Sequence, residues 1–272
     1  MIGLVEVLYN PTEQEVKNIN NYRELVDFII IVDNSNENNL QMLEREKLIG
    51  EKIFYYPQGC NIGLCKALNL GVGKLQELNC DWALLMDSDS EVLTDITSVY
   101  MKIIEKNQKN IAVYAPVHIF DRSKKKPYKG YKEIEWSMTS GWCVDVAIFM
   151  KLGGFFEKLF VDGLDMDYCF KAKKNGYQII ECGEAILRHH PAETRKFLGL
   201  KYGFASPARY YMQARQLIWD MLYYRKYKLL ILYVYKWIKV LLLFPSKKEY
   251  IRKMCVGSKE GFELYKKEKN CE

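Results

Sequence analysis

DWALLMDSDSE, residues 81–91, is the stretch on which the fold turns. An unbroken apolar run bounded by aspartates reads as a strand buried on both faces. Working outward, similar runs stand at GLVEVLY (3–9), FIIIVDN (28–34), KIFYYP (52–57) and IAVYAPV (111–117). Helical spacing fills the gaps at 13–25, 61–78 and 94–107. Strand–helix alternation with nearly continuous apolar strands predicts an α/β fold, a mostly parallel sheet flanked by helices.

Further on, 118–135 is irregular and basic and reads as a surface loop or hairpin. SMTSGWCVDVAIF (137–149) reads as a strand passing into a helix, and GYQIIECG (176–183) as a late strand. After Pro207 the pattern becomes a long helical stretch, broken near Tyr227. Its segment 227–244 is mostly aliphatic and aromatic but contains Lys228, Lys236 and Lys239. Charges in mid-span argue against a spanning helix. Basic residues beside Tyr233, Tyr235 and Trp237 predict an interfacial helix on a membrane surface, with a packed helical subdomain or a homodimer contact as the bland alternative.

Length and composition agree with this organisation. The 272 residues, 49% hydrophobic and 27% charged, suit a soluble globular body with a substantial core. None of the eight cysteines forms a C-x-x-C pair, and MIGLVEVLYNP lacks the basic start of a leader. A cytoplasmic protein with reduced thiols is expected. The net charge of +6 is uneven: residues 221–272 hold 13 basic and 5 acidic residues, so the first 220 sum to −2. The aromatics of this basic tail lie in aliphatic company at helical spacing, which points away from nucleic acid.

In open parallel sheets, ligands bind beyond the carboxyl ends of the strands. Those ends carry Asn10, then Asp33-Asn34-Ser35, then Asp87-Ser88-Asp89. Strand ends and helix caps favour Asp and Asn anyway, but three in succession favour a site. Asp87 and Asp89, two apart in extended chain, share one face and repel unless a cation lies between them. A second acidic group, Asp162, Asp165 and Asp167, stands before a lysine-bearing helical segment, where helix capping competes with a general base. His189 and His190 follow a late strand and can complete a metal site. NLGVGKLQ does not match a P-loop, and neither a G-x-G-x-x-G after the first strand nor a G-x-S-x-G elbow is present.

These pieces together resemble the family 2 glycosyltransferases of the GT-A fold, in their rhamnosyltransferase-like branch. LYNP, IVDNSN, NIGLCKALNLG, LLMDSDS, TSGWCVD, GGFFEKLFVDGLDMDYCFKAKKNGY and LRHH stand in the family's order over roughly residues 1–226. The resemblance implies inverting transfer of a sugar from a nucleotide donor (dTDP-rhamnose or a UDP-hexose) to a hydroxyl of a lipid-linked bacterial surface glycan. It implies Asp33 on the base, with Asn10, Pro11, Asn34, Asn61, Gly63 and Asp87 around the nucleotide. Asp87, Asp89 and His189 would hold Mn2+ or Mg2+. Asp165 would be the base, with Asp167 on the acceptor and Ser140, Gly141 and Trp142 as a wall beside the sugars. The implied division is a catalytic domain at 1–206, with a nucleotide half to about 117 and an acceptor half after it. A helical, basic region at 207–272 would lie on the inner face of the cell membrane. Three positions depart from the family pattern: Asp167 stands where Glu is frequent, Gly163-Leu164 precedes the base, and Gln216 replaces an Asn. A nucleotidyltransferase, which needs a Gly-rich basic loop after the first strand, and a non-catalytic membrane scaffold are the competing classes.

Overall fold

The structure, a computed structural model, describes residues 1–106, 110–122, 125–159, 161–189, 193–197 and 199–270. His190 lies outside the described residues. The elements run β1 (Ile2–Leu8), α1 (Glu13–Asn18), β2 (Phe28–Asp33), α2 (Leu40–Arg45), β3 (Ile53–Pro57), α3 (Leu64–Glu77), β4 (Trp82–Met86), β5 (Glu91–Val92), α4 (Ile96–Ile104) and β6 (Ile111–Ile119). Then follow β7 (Tyr131–Glu133), β8 (Trp142–Asp145), α5 (Val146–Lys151), α6 (Leu164–Lys174), β9 (Gln178–Arg188), β10 (Glu193–Phe197) and β11 (Leu200–Phe204). Three helices close the chain: α7 (Pro207–Tyr223), α8 (Leu229–Leu243) and α9 (Lys247–Lys269).

The main sheet has the order β3-β2-β1-β4-β8-β6-β9-β5, with β7 also paired to β9. β1 to β4 are mutually parallel, as are β6 and β9. β8 runs antiparallel between β4 and β6. Alternation along the strands serves two cores. Val5 faces one, built with α3, α5 and α6; Leu4 and Leu8 face the other, built with α1, α2 and α4. Because β1 sits between β2 and β4, the chain changes direction across the sheet there. This is the crevice where α/β folds bind ligands.

Local chemistry sets the ends that matter. The expected helix at 61–78 starts only at Leu64, because Gly63 has φ 89°, a left-handed conformation that no helix continues through. The 13–25 helix is shorter too. Thr12 and Glu15 cap its start reciprocally, and it tightens into a 3-10 turn at Ile19–Tyr22. The region 118–135 is less irregular than its composition suggests: β6 runs on to Ile119 with His118 buried in it, and β7 joins the sheet edge.

The C-terminal helices are part of the body. Trp219 of α7 and Leu264 of α9 belong to the core cluster under α3, α5 and α6. Among the described residues, no helix is long and apolar enough to cross a membrane.

Candidate active site

Beyond the carboxyl ends of β1 and β4 lies a cavity of about 470 Å³. The β4 end gives it Asp87, Ser88 and Asp89; the turn after β9 gives His189; the loop into α6 gives Asp162, and the first turn of α6 gives Asp165; α7 gives Arg209 and Gln213. Ligand atoms of Asp87, Asp89 and His189 all lie within 4.8 Å of one another. Ligands on opposite sides of a cation with bonds of about 2.1 Å stand about 4.2 Å apart, so two carboxylates and an imidazole at this spacing fit a divalent ion after small side-chain rotations.

Charge balance shows the same need. Burial, then the nearby Asp89 and Asp165 carboxylates, push the Asp87 carboxyl up to about 7, and Arg209 only partly opposes them. Burial also pushes Asp165 up to about 6; the Met166 N–H opposes it and Asp162 adds to it. Met166 N donates to Asp165 Oδ1 at 2.8 Å, fixing the carboxyl at the first turn of α6. A carboxylate poised there suits a general base near neutral pH.

A hydrogen-bonded chain ties Asp87 to His189. Asp87 N donates to Ser140 Oγ (3.2 Å), Ser140 Oγ donates to Ser90 Oγ (2.8 Å), and Ser90 Oγ meets His189 Nδ1 at 3.0 Å. Asp89 Oδ1 is 3.6 Å from the same nitrogen. Buried His118 braces the chain through Nε2 and the Ser140 carbonyl, 2.7 Å apart. A carbonyl only accepts, so Nε2 carries the proton. Burial drives His118 down to about 4, which keeps it neutral. The sequence reading missed His118 and Ser90, since nothing local distinguishes a bracing histidine from a core one.

The residues expected at the nucleotide cluster at neighbouring strand ends. Asn10, at φ 47°, donates its N–H to Ser35 Oγ (2.8 Å). Pro11 follows, half-buried. Asn34 Nδ2 reaches the Gly63 carbonyl (3.4 Å), and Gly63 N donates to Asn61 Oδ1 (2.9 Å). Asp33 is buried, with Oδ1 on Ser35 N (2.9 Å) and Oδ2 receiving Tyr55 Oη (2.6 Å) and Asn39 Nδ2 (2.8 Å). Burial works to raise its pKa, but the hydrogen bonds from Ser35, Tyr55 and Asn39 hold it below the usual range. It is an anion anchored from both sides. Tyr55 and Asn39 were not legible as its partners.

Two expected acceptor residues stand elsewhere. Asp167 turns away from the cavity: its Oδ1 receives Trp219 Nε1 (2.7 Å) and Tyr224 Oη (2.9 Å), so it ties α6 to α7. On a helix, a residue two positions from Asp165 faces another side. Trp142 is fully buried, against Phe155 and Tyr168, and is core rather than wall. Gly141 lends its carbonyl to Tyr100. The wall next to Ser140 is instead Met138 and Thr139.

The departures at 163 and 216 prove to be one feature. Gly163, at φ 86°, lies under Gln216, and a Cβ there would meet Gln216 Cγ at 2.0 Å. The longer amide at 216 occupies the room that the glycine leaves. Beside it, Arg209 clasps Asp162 with two bonds, 2.8 and 3.3 Å. The loop that presents Asp165 is thereby fixed to α7. Asp162 had been read only as part of a helix start.

Comparison with known proteins agrees with this geometry. A family model described as glycosyl transferase family 2 matches residues 11–159. The dTDP-rhamnosyl transferase RfbF of Shigella flexneri is 26% identical over 79% of this chain and 77% of its own length. The low-salt glycan biosynthesis hexosyltransferase Agl10 of Haloferax volcanii is 23% identical over 96% and 91%. Among solved structures, GalNAc-T7 with UDP, GalNAc and Mn2+ superposes with a TM-score of 0.62 at 16% identity, covering 97% of this chain. This chain spans only 56% of that one. S. aureus TarS 1-349 with UDP-GlcNAc gives 0.62 at 14% identity, covering 93% and 79%. At these identities the solved structures speak for the fold, which is GT-A.

Proposed function

The chain belongs to glycosyl transferase family 2, and from that premise we propose an inverting, metal-dependent transfer of a sugar from a nucleotide-diphosphate donor to a hydroxyl of a lipid-linked bacterial surface glycan. The observation that carries this reading is the cavity itself: Asp87, Asp89 and His189 converge at one part of its lining, and Asp165 stands at another. The names of the two curated relatives favour dTDP-rhamnose or an activated hexose as donor, and a UDP-hexose is the second candidate.

Asp87, Asp89 and His189 would hold Mn2+ or Mg2+, which when bound would supply positive charge for the leaving diphosphate. Asp33 orients the pyrimidine; its Oδ1 carries one donor from the chain and can accept the base N3–H as another. Asn10, Pro11, Asn34, Asn61 and Gly63 shape the ribose side. Asp165 takes the proton from the acceptor hydroxyl while the acceptor oxygen bonds to the anomeric carbon and the bond from that carbon to the donor phosphate breaks. Attack opposite the leaving group inverts the anomeric centre, and no enzyme nucleophile is needed. Arg209 adds a fixed positive charge to the same cavity. Residues 1–117 serve the donor and 118–206 the acceptor, with α7 completing the cavity and the C-terminal region meeting the inner face of the cell membrane.

The test is thermal stabilisation by UDP, dTDP, GDP and ADP, each with and without Mn2+. A ligand at about 100 times its Kd adds about 2.7 kcal/mol to the folded state. A pyrimidine diphosphate that stabilises only with Mn2+ is the expected result. No response to any nucleotide at millimolar concentration would overturn the proposal.

A further inference from the structure

The segment 227–244 reads from sequence as an interfacial helix with its lysines beside its aromatics, but the structure sorts those residues differently. Lys236 and Lys239 turn inward. Lys236 Nζ donates to Gln213 Oε1 (2.7 Å), Lys239 Nζ donates to the Gly203 carbonyl (3.1 Å), and both lie near the Tyr210 ring. Tyr233 and Trp237 pack inward with Tyr210 and Phe244. What remains outside is a stripe at three- and four-residue spacing: Leu230, Ile231, Val234, Ile238, Leu241 and Leu242. Ile231 is 76% and Leu242 70% exposed. A continuous apolar face of this size marks an interaction surface.

Charge decides the occupant. Residues 221–248 contain seven Lys or Arg and no Asp or Glu. Arg225 and Lys228 are exposed at one end of the stripe, Lys247 and Lys248 at the other. A twofold contact between two copies of this face would crowd Arg225, Lys228, Lys247 and Lys248 together, with Glu249 alone among residues 221–249 to answer them. An anionic bilayer answers both features, with acyl chains for the stripe and headgroup phosphates for the flanks. Fifteen residues are too few to span the hydrocarbon core, so the helix lies in the interface plane.

We infer that the outer face of α8 seats the protein on an anionic lipid surface through Ile231 and Leu242, with Lys247 and Lys248 gripping headgroups. This rests on the proposed membrane-side acceptor and deepens it by naming the surface. The seat is braced on the site. Lys236 holds Gln213, which lines the cavity, and Leu229 and Leu232 pack against Met166 and Phe170 of α6, the helix that begins at Asp165.

The experiment is flotation of the full chain with phosphatidylcholine vesicles, with and without about one-third phosphatidylglycerol. The variants are Ile231→Ser/Leu242→Ser and Lys247→Glu/Lys248→Glu. All four side chains are exposed, so melting temperature and the nucleotide–Mn2+ response stay at wild-type values, which separates failure here from failure of the transferase reading. The wild type should float with the anionic vesicles. Each double variant should bind at least about tenfold more weakly, the lysine pair showing its loss at low salt. A wild type that stays in the unbound fraction overturns the inference. So do apolar variants that float normally, and so does a wild-type dimer that Ile231→Ser/Leu242→Ser converts to monomer.

Discussion

Gly163→Ala tests whether the loop that presents Asp165 is set by its contact with α7. The new Cβ meets two separate costs. At φ 86° an L side chain is strained by about 1–2 kcal/mol. The Cβ also stands 2.0 Å from Gln216 Cγ and 2.3 Å from its Cδ, an overpacking of about 1–3 kcal/mol. The sum is about 2–5 kcal/mol. At about 2–4 °C per kcal/mol for a chain of this size, melting should fall by at least about 4 °C. Gln216→Ala removes the second cost but strips buried Asp220 of its amide donor, itself worth about 1–3 kcal/mol. The double variant should therefore melt higher than the two single losses add up to, with a coupling of about 1–3 kcal/mol. Transfer should follow the same pattern, because any shift of the 161–165 loop moves Asp165. Melting curves and initial rates on the four proteins complete the cycle. If Gly163→Ala melts within a degree of wild type, or if the two losses simply add, the Gly163–Gln216 contact does not set the loop.

Asp165→Asn should lower transfer by about 10²–10⁴-fold while Mn2+-dependent nucleotide stabilisation persists, measured by turnover beside melting shifts. Under the proposed mechanism Asp165 acts ionised, and burial pushes its carboxyl up to about 6, so kcat/KM should fall roughly tenfold per pH unit well below that value. Stability of the metal-free protein should move the other way. Asp87 at about 7 and Asp165 at about 6 bind protons in the folded state that an unfolded chain, at about 3.9, has already released. Those two groups therefore destabilise the fold above pH 7 and relieve it as pH falls towards 5; melting without Mn2+ should rise over that window, and Mn2+ should flatten the slope. His118→Leu should weaken Mn2+ affinity by about tenfold without removing a ligand, because Ser140 loses its brace; titration calorimetry against Ser90→Ala checks it.

The sheet strands from β1 to β4 were legible because each is a buried apolar run ending in a polar residue, and the strand ends carry the site chemistry. Asp87, Asp89 and His189 were legible as types at those ends, and the structure brings them together. Asp165 and Asp167 looked alike in sequence. Only helix geometry separates them, sending one to the cavity and the other to Trp219 and Tyr224. Trp142 in TSGWCVD was misleading because the chain turns at Gly141, φ 80°, between Ser140, which reaches Asp87, and β8, where Trp142 joins Val144 in the core under α3, α5 and α6. The β10–β11 hairpin escaped notice because Glu193–Phe197 and Leu200–Phe204 are short, mixed in polarity and paired mainly with each other. Arg209 and Gln213 escaped because their meaning depends on how α7 docks, a long-range fact that periodicity does not encode.

That docking alters what the C-terminal region is. Composition marks a basic, helical appendage after residue 206, as if a complete catalytic body preceded it. Yet Arg209 neutralises Asp162, Gln213 lines the cavity, Gln216 fills the space over Gly163, and Trp219 satisfies Asp167. Each partner sits in the 162–167 segment or in the cavity beside it. Without α7, Asp162 and Asp167 would lie beside Asp165 as poorly compensated carboxyl groups, and the loop would lose its register. The same helix buries Tyr210 and Ala214 against Val240 of α8, whose opposite face carries the exposed stripe. One helix thus touches the segment that carries Asp165 on one side and the element with the exposed apolar stripe on the other. A deletion at residue 206 would confound the two roles, whereas point substitutions on the outer face of α8 separate them.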